Sequence, residues 1–463
     1  MSDVDRPPAT RRIAGFVDRL GYADLPEPVV DQAKRLLLDF LAAALAGGTR
    51  PHVRAAQQVS LAPGGGAEQS TVLATDRQVA MDRAAFLNGL AGSSTPQLDD
   101  VCKESLGHPG VGTHPAVLAV GEARGSSGRD ALVAIVAGYE LAWRVGAAVG
   151  LGAFNRGWHP RGGCNVFAAA VAAAKLLGLH GEDSYCAVLG LAGNQAAGLM
   201  SACFWHDAWY LLSGHASQNG VMAALLARAG YTAGDTVLED PYGGYCTVVC
   251  DRPDWDRLLV GLGERFELPL TGQKLHASSA ATHAAIDATL ALADAHDLRP
   301  DQVATVQVRT YQVAAQTLGK RHPDRHVHAA MSIPYLVAVA LTDRQVSLPQ
   351  FTADKLADPQ LRALQDRVEM VLDPQLDAMA PRHLPAEVIV NTTDGRVLTE
   401  RVVSPKGDPD NPLTDQETRD KFRMLAAGVL RPDAVEETIE LVDRLDELAD
   451  LGELTAVLRR TGG

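Results

Sequence analysis

The sequence predicts a mainly α protein. A large all-helical domain spans residues 1–270 and is completed by residues 401–463, and a smaller α+β domain spans residues 271–400. Three observations lead there. Before residue 270 apolar residues recur at helical spacing, and little reads as a strand. Beyond it, alternating β-branched runs stand between helical ones. From Thr414 on, a charge-amphipathic helical pattern resumes, which returns the tail to the first domain. Ala and Gly are abundant while aromatics are only 5% of the chain, so the helices are expected to pack closely.

Taken in order, residues 28–46 set apolar side chains at helical spacing, and Gly47-Gly48 is a natural stop. Helical runs follow at about 80–91, 114–123, 129–150, 165–179, 182–200 and 214–229, separated by Gly, Pro or Asp turns. Residues 278–296 read as a helix capped by Ser278 or Ser279. Residues 303–311 alternate as a strand, and residues 329–342 form a helix with Pro334 in its first turns. Residues 387–402 read as a hairpin on Asp394-Gly395. The strands are expected to make a small antiparallel sheet. No internal repeat or low-complexity tract is present.

Lys plus Arg is 42 against 56 for Asp plus Glu, a net charge of -14. That excludes a general affinity for nucleic acid or anionic membranes and leaves room for a local basic pocket. The six cysteines (Cys102, Cys164, Cys186, Cys203, Cys246 and Cys250) form no CxxC pair, so free thiols in a reducing, cytoplasmic setting are expected. Residues 1–8 lack the apolar core of a signal peptide. Glu140, Arg144 and Lys175 interrupt the longest apolar stretches, so no membrane span is expected.

Four clusters can carry chemistry. The first is Gly157-Trp158-His159-Pro160-Arg161-Gly162-Gly163-Cys164, ahead of an Ala-rich helix. The positive end of a helix dipole favours neutral imidazole, which suits proton transfer near neutral pH. A surface-turn histidine is the structural alternative. The second is Asp99-Asp100 with His108 and His114, in a loop rich in turn formers. There, an aspartate serving as a helix cap and His114 as a first-turn helix residue are the alternatives. The third is Lys274, followed by His276 and by His283 and Asp287 one turn apart. Lys274 at a domain boundary can attract a carboxylate. A solvated lysine and a His-Asp pair that merely stabilises its helix is the alternative. The fourth is Tyr335 after Ser332-Ile333-Pro334, a phenol able to pass a proton or simply to pack. His322, His326 and His328 lack a partner at metal-site spacing. Gly64-Gly65-Gly66 and Gly243-Gly244 lack the setting of a phosphate loop.

Together these clusters resemble the MmgE/PrpD family. The likeness runs through nearly the whole chain. It includes residues 37–47, Gly157-Trp158-His159-Pro160, residues 189–199, Lys274 with Thr282-His283 and Ile286-Asp287-Ala288, Ser332-Ile333-Pro334-Tyr335, residues 406–415 and Lys421-Phe422. The resemblance implies an all-helical domain with a smaller α+β lid, homodimers, and an active site in the cleft between the domains. It implies a small carboxylate substrate and no metal, nucleotide or iron–sulfur cofactor. Position by position, His159 and His108 match the proton-handling histidines. Lys274 matches a substrate-binding lysine, Tyr335 a lid tyrosine, and Asp100 the second aspartate of an Asp-Asp pair.

Two positions depart from the family pattern. Gln97 stands where the family has an acidic residue, and Trp209 where it has a second cleft lysine. A less anionic or bulkier substrate is therefore expected, unless Arg161 or His206 compensates. The expected reaction is a cofactor-independent lyase step through a carbanion or enolate-like species, dehydration ahead of decarboxylation. An isomerase, epimerase or cyclisation catalyst in the same fold is the runner-up. A non-catalytic small-acid-binding protein is the reading from another class.

Overall fold

The computed structural model describes residues 8–61, 67–95, 99–203 and 206–462. Gln97 and the glycines at 64–66 lie outside the described residues. The chain is 59% helical with small sheets, which makes it mainly α. It divides into two compact units. One holds the described residues of Met1–Ser94, Asp99–Thr271 and Thr414–Gly463; the other holds those of Thr95–Leu98 and Gly272–Leu413.

The first unit is built on α1 (Glu27–Gly48), α2 (Met81–Ser93), α3 (Gly110–Arg124), α4 (Gly128–Asn155), α5 (Asn165–Leu176), α6 (Ala208–Arg228) and α9 (Asp415–Ala426). The Ala-rich α5 lies at the centre, packed by α3, α4 and α6, and nearly all of it is buried. Such a helix has no polar face to offer water, so it has to be surrounded. Small residues set how closely the neighbours come. A methyl group on Gly220 of α6 would stand 2.4 Å from the Ala169 Cβ of α5, so only glycine fits there. α4 opens on a capping box between Ser127 and Asp130. It continues past residue 150 to Asn155 across a non-helical Gly150 (φ 35°). Among the described residues it is the one helix long and apolar enough to cross a membrane, yet 94% of its apolar window is buried inside the protein.

One correction to the all-helical expectation is a two-residue ladder in this unit. β1 (Ser70–Thr71) pairs antiparallel with β2 (Gln78–Val79). The segment is too short to leave a readable alternation. Further helices at Ala9–Arg19 and Pro51–Ser60 also belong to this unit.

The second unit holds a four-stranded sheet in the order β4-β3-β5-β6, from β3 (Val303–Thr310), β4 (Val368–Leu372), β5 (Ala386–Thr392) and β6 (Val397–Val402). The sheet is mixed rather than antiparallel, because β4 runs parallel to β3 with Val306 opposite Val368. A parallel return needs a long crossover, and the helical segments between Thr310 and Val368 supply it. β5 alternates strictly, burying Ala386, Val388, Val390 and Thr392. The Asp394-Gly395 hairpin forms with Gly395 at φ 88°, a conformation that favours glycine. α7 (Ala280–Ala295) covers β5 and β6 and packs on α8 (Ile333–Asp343), whose Pro334 sits in the first turn. The chain stays with this unit to Leu413, beyond residue 400. The loop after β6 is bonded back into it: Gln273 N donates to the Gly407 carbonyl at 2.8 Å, and Lys406 N to Asp287 Oδ2 at 2.7 Å.

A buried ion pair ties the tail to α1. Lys421 Nζ of α9 donates to Asp39 Oδ1 of α1 at 2.7 Å, with side chains 0% and 1% exposed. Removing one partner of such a pair strands a charge in a low-dielectric interior. Lys421→Met should therefore lower the unfolding free energy by about 3–5 kcal/mol in chemical denaturation, and Asp39→Leu/Lys421→Met should recover most of it.

Candidate active site

The loop between α2 and α3 folds on itself so that His108 returns to the aspartate pair. Backbone bonds between Cys102 and Gly107 (2.9 and 3.1 Å) close a tight turn. His108 Nδ1 then reaches the Asp100 carbonyl at 2.6 Å and Asp99 Oδ2 at 3.2 Å. Both are acceptors, so Nδ1 carries a proton and in neutral imidazole the lone pair lies on Nε2. The His108 carbonyl accepts from Asn165 Nδ2 at 2.9 Å, which anchors the loop to α5. α3 can come this close because Gly112 faces the Asn165 Cβ, where an added methyl would sit 2.5 Å away.

The second histidine is placed by a different device. Gly157 takes φ 82°, and the strand-like segment through His159 pairs with residues 198–200. His159 N donates to the Gly198 carbonyl at 2.8 Å, and Met200 N to the Gly157 carbonyl at 2.8 Å. His159 is the cap of the short turn Pro160–Gly163, its Nδ1 accepting from Arg161 N at 3.0 Å. With Nδ1 used as an acceptor, neutral His159 presents an N–H at Nε2. Burial, then the Arg161 charge, pushes its pKa down to about 3. The two histidines therefore carry opposite tautomers. Burial, more than the start of a helix, disfavours the charged imidazole here.

Arg161 links the two loops. Its Nη2 donates to Asp99 Oδ2 at 2.8 Å, with side chains 1% and 2% exposed. Asp99 thus stands between a guanidinium and the His108 imidazole. The Trp209 ring lies edge-on to His159, centroids 4.5 Å apart, and 5.5 Å from the Arg161 guanidinium carbon. Trp209 therefore walls the His159 side of the cluster. Arg161 pairs with Asp99 through Nη2. His206 is exposed in the turn before α6.

Asp100 turns inward. Its Oδ2 accepts from Gly110 N at 3.0 Å, at the start of α3, although the cap residue of that helix is Pro109. Burial and then the neighbouring Asp99 charge raise its pKa to about 7. His114, in the first turn of α3, is fully buried with Nε2 3.0 Å from Tyr139 Oη, and burial drives its pKa to about 3.

Lys274 and Tyr335 belong to the second unit. Lys274 is buried, next to the Gln273 backbone that meets Gly407, where an added methyl would stand 1.9 Å from the Gln273 carbonyl oxygen. Asp287 pairs with His276 Nε2 at 2.6 Å, and His283 stacks edge-on to His276. The Tyr335 hydroxyl donates to the Gln350 carbonyl, and burial raises its pKa. Among the described residues no group of three His, Cys, Asp or Glu stands where it could hold a metal ion. His322 pairs with Asp366, and His328 with Asp324. All six cysteines are free and buried.

Sequence reasoning named Asp99 in a pair but did not select it, and it passed over Tyr139 and Asn165. The available signal was polar residues inside apolar helices, since buried polar groups need partners.

Stability should follow these protonation states. His159 and His114 have folded pKa values below the ordinary 6.5, so their contribution is complete above pH 6.5 and is lost as pH falls towards 3. Asp100 has the opposite sign: its contribution is complete below 3.8 and is lost as pH rises through 7. Thermal melts should show Asp100→Asn gaining on the parent as pH rises from about 4 to about 7. A constant difference across that range would contradict the buried, proton-retaining carboxyl.

Comparison with known proteins agrees with this architecture. The MmgE/PrpD N-terminal domain matches residues 11–258, and the MmgE/PrpD C-terminal domain matches residues 276–447. The chain is 31% identical to a cis-aconitate decarboxylase-like protein, oryM, of Aspergillus oryzae, over 97% of both chains. It is 29% identical to a cis-aconitate decarboxylase of Aspergillus terreus, over 97% of this chain and 95% of the relative. It is 25% identical to the human cis-aconitate decarboxylase, over 97% of this chain and 94% of that one. With both domains matched in order along its length, the chain belongs to the MmgE/PrpD family.

Proposed function

We propose that this MmgE/PrpD enzyme is a lyase that acts on a small carboxylic acid, with decarboxylation ahead of dehydration. Its relatives named as decarboxylases support that order, which reverses the sequence expectation. The observation that carries the reading is the opposite hydrogen bonding of two histidines at Nδ1, with His108 facing acceptors and His159 facing a donor, the two joined through Asp99 and Arg161.

The chemistry follows from those protonation states. In decarboxylation the carbon–carboxylate bond breaks, carbon dioxide leaves, and the electron pair passes into an enolate-like system that takes up a proton. His108 carries that proton, because the Asp99 carboxylate favours its charged form. Nδ1–H stays with Asp99 and Asp100, Nε2–H is delivered to carbon, and solvent restores it. His159 remains neutral and donates a hydrogen bond from Nε2, polarising a substrate oxygen as a neutral imidazole can. On the family resemblance alone, Lys274 is the proposed partner of the developing anion and Tyr335 a proposed orienting residue. Trp209 beside His159 favours a substrate with apolar bulk there over a further carboxylate. Dehydration uses the same groups in reverse order, with His108 Nε2 as base, and is the second reading.

Turnover of cis-aconitate and related di- and tricarboxylates in deuterated water tests this. Decarboxylation releases carbon dioxide and places one deuterium on carbon. Dehydration releases water instead, and epimerisation exchanges hydrogen without loss of mass. On the true substrate, His108→Gln should lower kcat by about 10²–10⁴-fold. His159→Gln should lower it by about 10²–10³-fold. Full turnover by both variants would sink the assignment.

A further inference from the structure

Asp287 and the turn at residues 406–411 have no part in that mechanism. Asp287 stands in α7, yet both of its oxygens act outside that helix. Oδ1 meets His276 Nε2 at 2.6 Å, and Oδ2 accepts from Lys406 N at 2.7 Å. His283, one turn earlier on α7, lies edge-on to the His276 ring with centroids 5.1 Å apart. The turn is closed by its own backbone: Gly407 N donates to the Asn411 carbonyl at 2.9 Å, and Asn411 N to the Asp408 carbonyl at 2.8 Å. Gly407 then comes in against Gln273, whose N–H donates to the Gly407 carbonyl at 2.8 Å. Lys274 lies between these two anchor points. It is buried, and residues 273–279 belong to no helix or strand. With no ladder to hold it, the Lys274 backbone is placed by the bonds of its neighbours. Gln273 is held by the turn, and His276 by Asp287. Asp287 holds the turn as well, so one carboxylate serves both ends of the Lys274 stretch. Beyond it, Ala277 N is bonded to the Val346 carbonyl at 3.1 Å, which limits the governed stretch to residues 273–276.

We infer that Asp287 is a positioning residue for Lys274, acting through His276 on one side and through the Lys406–Gly407 turn on the other. The inference rests on the proposed role of Lys274, but the clamp can be read without any substrate. A long side chain delivers its ammonium accurately only from a fixed backbone, and a misplacement of about 1 Å can cost about 10²-fold in rate. A carboxylate that merely stabilised its own helix would leave Lys274 indifferent to it. The bond from Lys406 N spans 119 residues and adds nothing to the helix. The turn also admits no slack at Gly407, which takes φ 90° and would set an added methyl 1.9 Å from the Gln273 carbonyl oxygen.

A double-mutant cycle with Lys274→Met tests the coupling, on cis-aconitate or whichever related di- or tricarboxylate the parent turns over fastest. Asp287→Ala should lower kcat/KM about ten-fold or more in the parent. In the Lys274→Met background it should cost less than about two-fold, because the group that Asp287 positions is already gone. Equal losses in the two backgrounds would overturn the inference, since a structural role adds to the loss of Lys274. Amide hydrogen exchange reads the clamp without substrate. In Asp287→Ala the Gln273 and Lys406 amides should exchange at least about ten-fold faster, with those of α5 unchanged. Parent-like protection of Gln273 would also overturn the inference. If Asp287→Ala does not fold, His276→Leu removes one bond, leaves Lys406 N its acceptor, and carries the same cycle with kcat/KM lowered about three-fold. Full turnover by Lys274→Met, with Gln273 exchange accelerated in Asp287→Ala, would overturn the catalytic role of Lys274 and leave the positioning role standing.

Discussion

The Asp99 carboxylate, buried between the Arg161 guanidinium and the His108 imidazole, is the interaction on which the rest of the site depends. An ionised carboxylate at this depth persists only when its charge is answered and its oxygens are hydrogen-bonded. Arg161 supplies the charge, and through the main chain it also supplies the N–H that sets the His159 tautomer. One residue thus couples two loops far apart in sequence, because its side chain serves one histidine and its backbone the other. That coupling makes the site a single electrostatic unit.

The same arrangement separates two chemically identical side chains. His159 is buried, lies near a positive charge and accepts at Nδ1, so it stays neutral. His108 is less deeply buried and faces a carboxylate at Nδ1, the basis of the proton-donor role proposed for it. Pairs of like residues driven apart by their surroundings are how one site runs both sides of a proton transfer. Behind them, Asp100 is kept near neutrality by burial, and its side chain does structural work while its carbonyl serves His108.

Much of the fold was legible because it is written in local patterns. The Ala-rich run after Cys164 reads as a helix in any context, since its residues have high helix propensity and no polar face. The Asp394-Gly395 hairpin is specified by turn chemistry. The parallel placement of β4 was not legible, because its short strand carries no mark of direction and the pairing is decided across a long crossover. The ladder β1–β2 was missed for want of length. At the site, His108 and His159 stood out as histidines among turn formers. Asp99 did not stand out from Asp100, since two adjacent carboxylates are equivalent until the backbone turns one outward and one inward.

By itself the sequence determined the helical character of the chain, the change of pattern near residue 270, the two histidines and membership of a family. These depend on residue type and on spacing over a few turns. Only the tertiary structure decided which aspartate meets Arg161, which ring nitrogen of each histidine holds a proton, and that Trp209 packs against His159. The contact of Asp99 with Arg161 spans 62 residues, and the bonds that set each histidine's Nδ1 are close in sequence but depend on how each loop folds. Protonation depends on burial and on the nearest charge, and neither exists until the chain has folded.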